Sequence, residues 1–166
     1  MPAPILIPLE PRHLAEALRL QAQVYPPFLV EPEDAFASRR TTAAPYCLAA
    51  ERDGVLVAYL LAHGWPGETP PPVGAVLDPS IRGDTLFVHD LAVSPAARGT
   101  GVGRALVEHA VTLARADGVR RAELIAIEGA APFWIGLGFA PCPASPALAA
   151  KVAGYGAGAR WMVRTL

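Results

Sequence analysis

Cysteine, charge and long apolar runs are all scarce in this sequence of 166 residues. Only Cys47 and Cys142 are present, too few for a disulfide framework, and no cysteine or histidine cluster has the spacing of a zinc site. Cys47 lies in an apolar stretch and reads as a small core residue. Charged residues make up 17% and the formal net charge is -1, so no global field draws nucleic acid or an anionic membrane. No run reaches the roughly 18 apolar residues of a bilayer span. The opening Met1-Pro2-Ala3-Pro4-Ile5 lacks the basic residues and apolar stretch of a secretory signal. These absences predict a cytoplasmic chain with no metal and no membrane or nucleic-acid partner.

What is abundant is apolar side chain, 52% of the residues, enough for one core in a chain of this length. The expectation is a single domain over 1–166. Ile5 to Leu9 reads as an edge strand, and Pro11 opens a helix to about Val24, with Leu14, Ala17, Leu18 and Gln21 at helical spacing. Tyr25-Pro26-Pro27-Phe28 stops it. Glu33 to Arg40 is a second short helix. Tyr46–Arg52 and Val55–Ala62 are β-like runs joined by Asp53-Gly54, a hairpin signal. From His63 to Gly83 a long loop is expected, six of its first ten residues being Gly or Pro. Thr85–Val93 is a strand and Ser94–Gly101 a turn. Val102–Asp117 is an amphipathic helix with Val102, Leu106, Ala110, Leu113 and Ala114 on one face, ended by Gly118. Ala122–Ile127 is a strand, Ala131–Leu137 a short helix and Arg160–Leu166 a last strand. Hairpins followed by one strand–helix–strand unit predict a mixed α/β (α+β) domain. Its sheet is mostly antiparallel and turns parallel at a central crossover.

Chemistry concentrates between Leu91 and Arg104. Arg98-Gly99-Thr100-Gly101-Val102-Gly103 joins a strand to a helix N-terminus. Glycines there let the backbone approach a ligand, and the first N–H groups of a helix are unpaired and partly positive. With Arg98 and Arg104 they make a seat for a diphosphate. The glycines fall at 99, 101 and 103, not at the spacing of a dinucleotide fingerprint, and the Gly-Lys-Ser/Thr of a nucleotide P-loop is absent.

Leu-Ala-Val-Ser-Pro followed by Arg-x-x-Gly-x-Gly resembles the GNAT superfamily of acyl-CoA N-acyltransferases. The resemblance covers most of the chain. It is strongest at 91–106 and at Ala131-Pro132-Phe133-Trp134-Ile135-Gly136-Leu137-Gly138-Phe139, which is similar to that family's penultimate helix, while Trp161-Met162-Val163 is similar to its closing strand. It implies acetyl-CoA as co-substrate. Arg98, Gly99, Thr100, Gly101, Val102, Gly103 and Arg104 would hold its diphosphate. The backbone of Leu91, Ala92 and Val93 would pair with its pantetheine arm, and Phe133 and Trp134 would line its path. An N–H near Leu91 would hold the oxyanion.

Acyl transfer to an amine needs a base, because a free alkylamine has a pKa of ~10. His89-Asp90-Leu91-Ala92-Val93 is similar to the corresponding strand of arylalkylamine N-acetyltransferase-type enzymes, where a histidine at this place is implicated as base. Strand alternation puts His89 on the face of Leu91 and Asp90 on the other. Asp90 is the alternative, as base or substrate anchor. His13 and His109 are expected on helices, facing solvent. The tyrosine that many family members use to protonate the departing thiolate is replaced by Trp134, whose indole cannot supply a proton; Tyr155 is the fallback. Tyr25 to Phe28, Trp65 and Pro70 to Pro72 could wall an apolar acceptor site. Glu31, Glu33 and Asp34 could attract a cationic amine or simply begin a solvated helix. The resulting expectation is direct transfer of acetyl to a small aromatic or hydrophobic primary amine, by a monomer or homodimer. A protein N-terminus or lysine as acceptor, or an acyl-CoA sensor without turnover, are the rivals.

Overall fold

The computed structural model describes residues 2–43 and 45–166; Met1, the start of the segment read for a secretory signal, lies outside them. Seven strands form one sheet in the order β1-β2-β3-β4-β5-β7-β6. They are β1 (Ile5–Pro8), β2 (Leu48–Arg52), β3 (Val55–Trp65), β4 (Thr85–Val93), β5 (Arg121–Ala126), β6 (Ala140–Pro141) and β7 (Arg160–Thr165). Only β4 and β5 run parallel; every other pair is antiparallel. That is the expected mixed architecture. Asp53 and Gly54 turn β2 into β3 with φ of 53° and 76°, the left-handed pair that a type I′ turn demands.

Five helices cover the sheet: α1 (Leu14–Val24), α2 (Glu33–Arg40), α3 (Val102–Ala116), α4 (Ala131–Ile135) and α5 (Pro146–Ala153). Helix α3 is the crossover between β4 and β5. It buries Leu106, Val107, Ala110, Val111 and Ala114 against Leu60, Ala62, Leu86, Val88 and Leu124 of the sheet. The stripe drifts along the helix, so Leu113, expected on it, stands at its margin and is 40% exposed. The opposite sheet face carries two further clusters. One packs Ala17, Leu20 and Phe36 of α1 and α2 on Ala49, Tyr59 and Leu61. The other gathers Phe87, Ile125 and Trp161 under Leu148 and Val152 of α5. Among the described residues no helix is long and apolar enough to cross a membrane.

Several features depart from expectation, among them the short strand β6, which was not expected. Strand β3 runs on to Trp65, because His63, Gly64 and Trp65 pair with Phe87, Leu86 and Thr85, so the loop is confined to 66–84. Helix α5 was not foreseen; Ser145 caps it by accepting the N–H of Leu148. His13 does not face solvent. It is 3% exposed, its Nδ1 accepts the N–H of Glu10, and its Nε2 lies 2.8 Å from Glu51 Oε1. His109 is exposed, as expected.

The chain leaves β3 and re-enters β4 through a narrow gap. A Cβ added to Gly83 would stand 1.9 Å from the carbonyl carbon of Trp65 and 2.2 Å from the nitrogen of Pro66. No flexible side chain can yield there, since the obstacle is backbone. Gly83→Ala is therefore expected to destabilise by about 2 kcal/mol or more, read as a lower denaturation midpoint at unchanged slope. An unchanged midpoint would contradict this packing.

Candidate functional site

Pairing between β4 and β5 covers only Leu86↔Ala122, Phe87↔Glu123 and Val88↔Leu124. Immediately afterwards β4 bulges. Val88 pairs with Ala62 and Asp90 with Leu61, leaving His89 as the extra residue. Beyond the bulge Leu91, Ala92 and Val93 stay with β3, while Ile125 and Ala126 stay with β7. The two central strands part, and the gap opens into a cavity of about 630 Å³ bordered by Leu91–Val93 on one side and Ile125 and Ile127 on the other.

The outer end of the cavity is the start of α3. Gly99 and Gly101 have φ of 77° and 83° with open space where a Cβ would stand. No side chain caps the helix, and the N–H groups from Gly99 to Arg104 find no acceptor among the described residues. Several amides therefore face the cavity mouth as a positive concavity. Arg98 is exposed beside them, and its guanidinium makes no hydrogen bond or ion pair among the described residues. Thr100 donates its hydroxyl to the Ala97 carbonyl at 2.6 Å and braces the turn. Gly103 brings the helix against β4: a Cβ there would lie 3.5 Å from Leu91, 3.4 Å from Val93 and 3.6 Å from Phe133. Val102 is buried beneath it. Arg104 is partly committed, its Nη2 donating to the Gly136 carbonyl at 2.9 Å. Phe133 is 43% exposed at the mouth, whereas Trp134 is buried edge-on against Phe139.

The inner end is polar. The bulge turns both His89 and Asp90 away from α3, which corrects the expectation that His89 shares a face with Leu91. His89 Nε2 is hydrogen-bonded to Glu31 Oε1, and its ring lies beside Phe87 and Tyr155. Glu31 also accepts the N–H of Gly74 at 2.8 Å and lies 3.6 Å from the guanidinium of Arg39. Arg39 is fully buried, with Nη1 3.1 Å from His63 Nε2. Asp90 accepts the Tyr59 hydroxyl at 2.6 Å, and Tyr25 donates to the Leu91 carbonyl at 2.7 Å. Tyr155 is buried and donates to the Pro71 carbonyl at 2.6 Å.

The charges of this cluster follow from its geometry. Burial alone would raise the Glu31 carboxyl, but His89, Arg39 and the Gly74 amide outweigh it and hold Glu31 at about 2. Burial first, and then the Arg39 cation, push His63 down to about 3. Burial raises Asp90 against the opposing pull of His89 and two tyrosines, and burial pushes the Tyr155 phenol up, which makes it a poorer acid. Cys47 is buried and Cys142 lies off the cavity.

Of the residues singled out from sequence, His89, Asp90, Leu91, Ala92, Val93, Arg98, Gly99, Gly101, Val102, Gly103, Arg104, Phe133, Trp134 and Tyr155 all border this one cavity. Thr100 does not. Of the proposed acceptor wall only Tyr25 borders it; Trp65 is buried elsewhere, donating to the Thr69 carbonyl, and Phe28 is 60% exposed. Arg39 and His63 were not foreseen as partners of the site, and Glu31 not as a buried one. A carboxylate in the apolar run Phe28-Leu29-Val30-Glu31-Pro32 was the available signal, since such a group is buried only when paired.

His63 is neutral in the fold, with a pKa below the ~6.5 of an unfolded histidine. The stability this brings is complete above pH 6.5 and is lost as pH falls towards 3; Glu31 acts only at lower pH, from about 4.5 downwards. Between pH 7 and pH 5 the protein is expected to lose about 2 kcal/mol through this one group. Denaturant melts of His63→Gln should be flatter by that amount over the same range. Parallel pH profiles would contradict a neutral buried His63.

The Acetyltransferase (GNAT) family matches residues 14–139. No curated protein sequence matches the chain. Among solved structures, the fold is similar to a PaiA N-acetyltransferase from Thermoplasma acidophilum in complex with coenzyme A. The two are 11% identical at TM-score 0.72, covering 99% of this chain and 100% of the other. The ribosomal-protein-S18-alanine N-acetyltransferase of Escherichia coli is 19% identical at TM-score 0.67, over 98% of this chain and 93% of that one. An N-acetylglutamate synthase from Neisseria gonorrhoeae, complexed with coenzyme A and N-acetyl-glutamate, matches all of this chain but 36% of its own, at 17% identity and TM-score 0.69. At such identities the neighbours speak for the fold alone. Since the family match extends from α1 through the glycine-rich start of α3 to the end of the α4 turn, this chain belongs to the GNAT acetyltransferase family.

Proposed function

We propose that the protein is an acyl-CoA-dependent N-acyltransferase that passes acetyl to a small primary amine with an apolar body, in a ternary complex. The observation that carries this reading is the split between β4 and β5 ending on the unpaired amides of Gly99 to Arg104. Those amides and Arg98 fit a diphosphate, with Arg104 contributing less because it also serves Gly136. The Leu91–Val93 edge, which has no strand partner on the β5 side and whose Leu91 carbonyl is held by Tyr25, fits the amide-bearing pantetheine arm as an added strand fits a sheet. The thioester of acetyl-CoA supplies the electrophilic carbonyl and the thiolate leaving group.

His89 is the proposed base. It lines the inner cavity, and its Nε2 is engaged by a carboxylate, so the imidazole is held ready to take the proton of the attacking amine, directly or through water. Asp90 suits this less, since one oxygen is occupied by Tyr59 and the residue is buried among tyrosines. Trp134 lies in the core and has no proton to give. Tyr155 borders the cavity but its hydroxyl is committed to Pro71. The thiolate, of ordinary pKa ~8.5, then leaves largely unassisted. Neither cysteine is placed for a covalent intermediate, which supports direct attack.

The small-amine reading is supported by the residues that wall the inner end. Val73 of the 66–84 loop, Leu29 after α1, and Tyr25 wall the inner end. The E. coli neighbour acts on a protein alanine and the Neisseria neighbour holds an amino-acid product, so the acceptor is what varies on this scaffold. Aromatic amines of the arylalkylamine kind suit the ring-lined pocket.

Thiol release from acetyl-CoA, measured against aryl-alkylamines, polyamines, amino acids and peptides, is expected to single out the first. His89→Ala should slow it at least tenfold with little change in acetyl-CoA affinity. Gly101→Val and Arg98→Ala should each weaken that affinity by roughly tenfold or more. Release with peptides alone would overturn the acceptor, and release with none would overturn the activity.

A further inference from the structure

Behind His89 stands a buried chain of four ionisable groups on three separate elements: His63 of β3, Arg39 of α2, Glu31 before α2, and His89 of the β4 bulge. Each link dictates the protonation of the next. A guanidinium has only donors, so His63 Nε2 must accept from Arg39 Nη1 at 3.1 Å; its Nδ1–H then faces the Gly64 carbonyl at 3.3 Å. His63 is thereby neutral, and behind Glu31 stands the Arg39 cation. Glu31 offers one oxygen to the Gly74 N–H and to Arg39, and the other to His89 Nε2. A carboxylate has only acceptors, so the proton of a neutral His89 belongs on Nε2. His89 Nδ1 is buried and has no partner among the described residues, and in this tautomer it carries the lone pair.

We propose that Glu31, backed by Arg39 and His63, is a positioning residue that fixes His89 in the Nε2–H tautomer and so reserves Nδ1 to accept the proton of the acceptor amine. The use of that lone pair rests on the acyl-transfer reading; the tautomer does not. In the step itself the amine nitrogen gives its proton to His89 Nδ1 and its electron pair to the thioester carbonyl carbon. The C–S bond then breaks, its electrons leaving with sulfur. The imidazolium that forms is flanked by Glu31, with the Phe87 and Tyr155 rings beside it. Glu31 also carries the Gly74 amide of the 66–84 loop, whose neighbour Val73 borders the acceptor end. Displacing that loop therefore removes a hydrogen bond from the group that orients the base.

The test is nitrogen-15 NMR of the His89 ring in the full chain at a pH where the imidazole is neutral, with acyl-transfer kinetics on the same samples. Wild-type protein should show a protonated Nε2 and an unprotonated Nδ1. Glu31→Gln should shift His89 towards a mixture of tautomers and lower kcat at least tenfold with KM for acetyl-CoA within twofold. Glu31→Asp should restore the tautomer and part of kcat. A wild-type Nδ1–H tautomer overturns the proposal even if no variant folds, as does Glu31→Gln with tautomer and kcat both unchanged. Correct tautomers without thiol release from any amine would leave the positioning intact and refute the acyl-transfer reading instead.

Discussion

Hydrogen bonding between β4 and β5 runs for three residue pairs and then stops, because β4 carries one residue more than β3 can match. The surplus falls at His89. In a regular strand the backbone of Leu91 to Val93 would continue on to β5 and the sheet would close. With the extra residue, β4 bends towards β3 while β5 follows β7, and the edge that remains has no strand partner on that side, where the Tyr25 hydroxyl takes the Leu91 carbonyl. The same residue sets the side-chain pattern. Leu86, Val88, Leu91 and Val93 meet α3, yet His89 and Asp90, though consecutive, both turn to the opposite face. One inserted residue thus opens the cleft and puts a histidine and a carboxylate at its inner end.

The polar chain at that end lies along the seam between the two apolar clusters of the α1/α2/α5 face. A fully buried guanidinium whose Nε and Nη2 lack hydrogen-bond partners is a poor way to stabilise a fold. Apolar side chains of similar volume would serve packing as well or better. What the arrangement does hold is the Glu31 carboxylate, set between Arg39, the Gly74 amide and His89 Nε2. Two latches connect this seam to the 66–84 loop: Glu31 holds the Gly74 amide and Tyr155 holds the Pro71 carbonyl. Glu123 and Ser38, outside the cavity, hold the same loop by the amides of Glu68 and Leu77.

Much of this was legible in the sequence. The Asp53-Gly54 turn, the amphipathic α3 and the glycine-rich entry to it are set by local chemistry, and they fix the mixed sheet and the outer end of the cavity. The bulge was not legible, because Val88, His89 and Asp90 satisfy strand alternation as well as they satisfy an interruption; only pairing with Leu61 and Ala62 decides between them. Hence His89 was assigned to the wrong face. The long-range partners were equally hidden. Glu31, Arg39 and His63 are separated by up to 32 residues in sequence, and nothing local reports that they meet. His13 misled for the same reason: its burial is owed to Glu51 on another element. Helix α5 escaped notice since Pro146-Ala147-Leu148-Ala149-Ala150 is short and weakly patterned, and its start is marked only by Ser145.

The account turns on the backbone amides at the start of α3 being free to receive a ligand. Hydrogen–deuterium exchange of the intact protein, with and without millimolar acetyl-CoA, reads those amides one segment at a time. The prediction is fast exchange across residues 99–104 in the free protein and at least tenfold slowing there with the coenzyme, accompanied by slowing at 91–93. Exchange across 99–104 that the coenzyme leaves unaltered, or protection confined to another part of the surface, would contradict it.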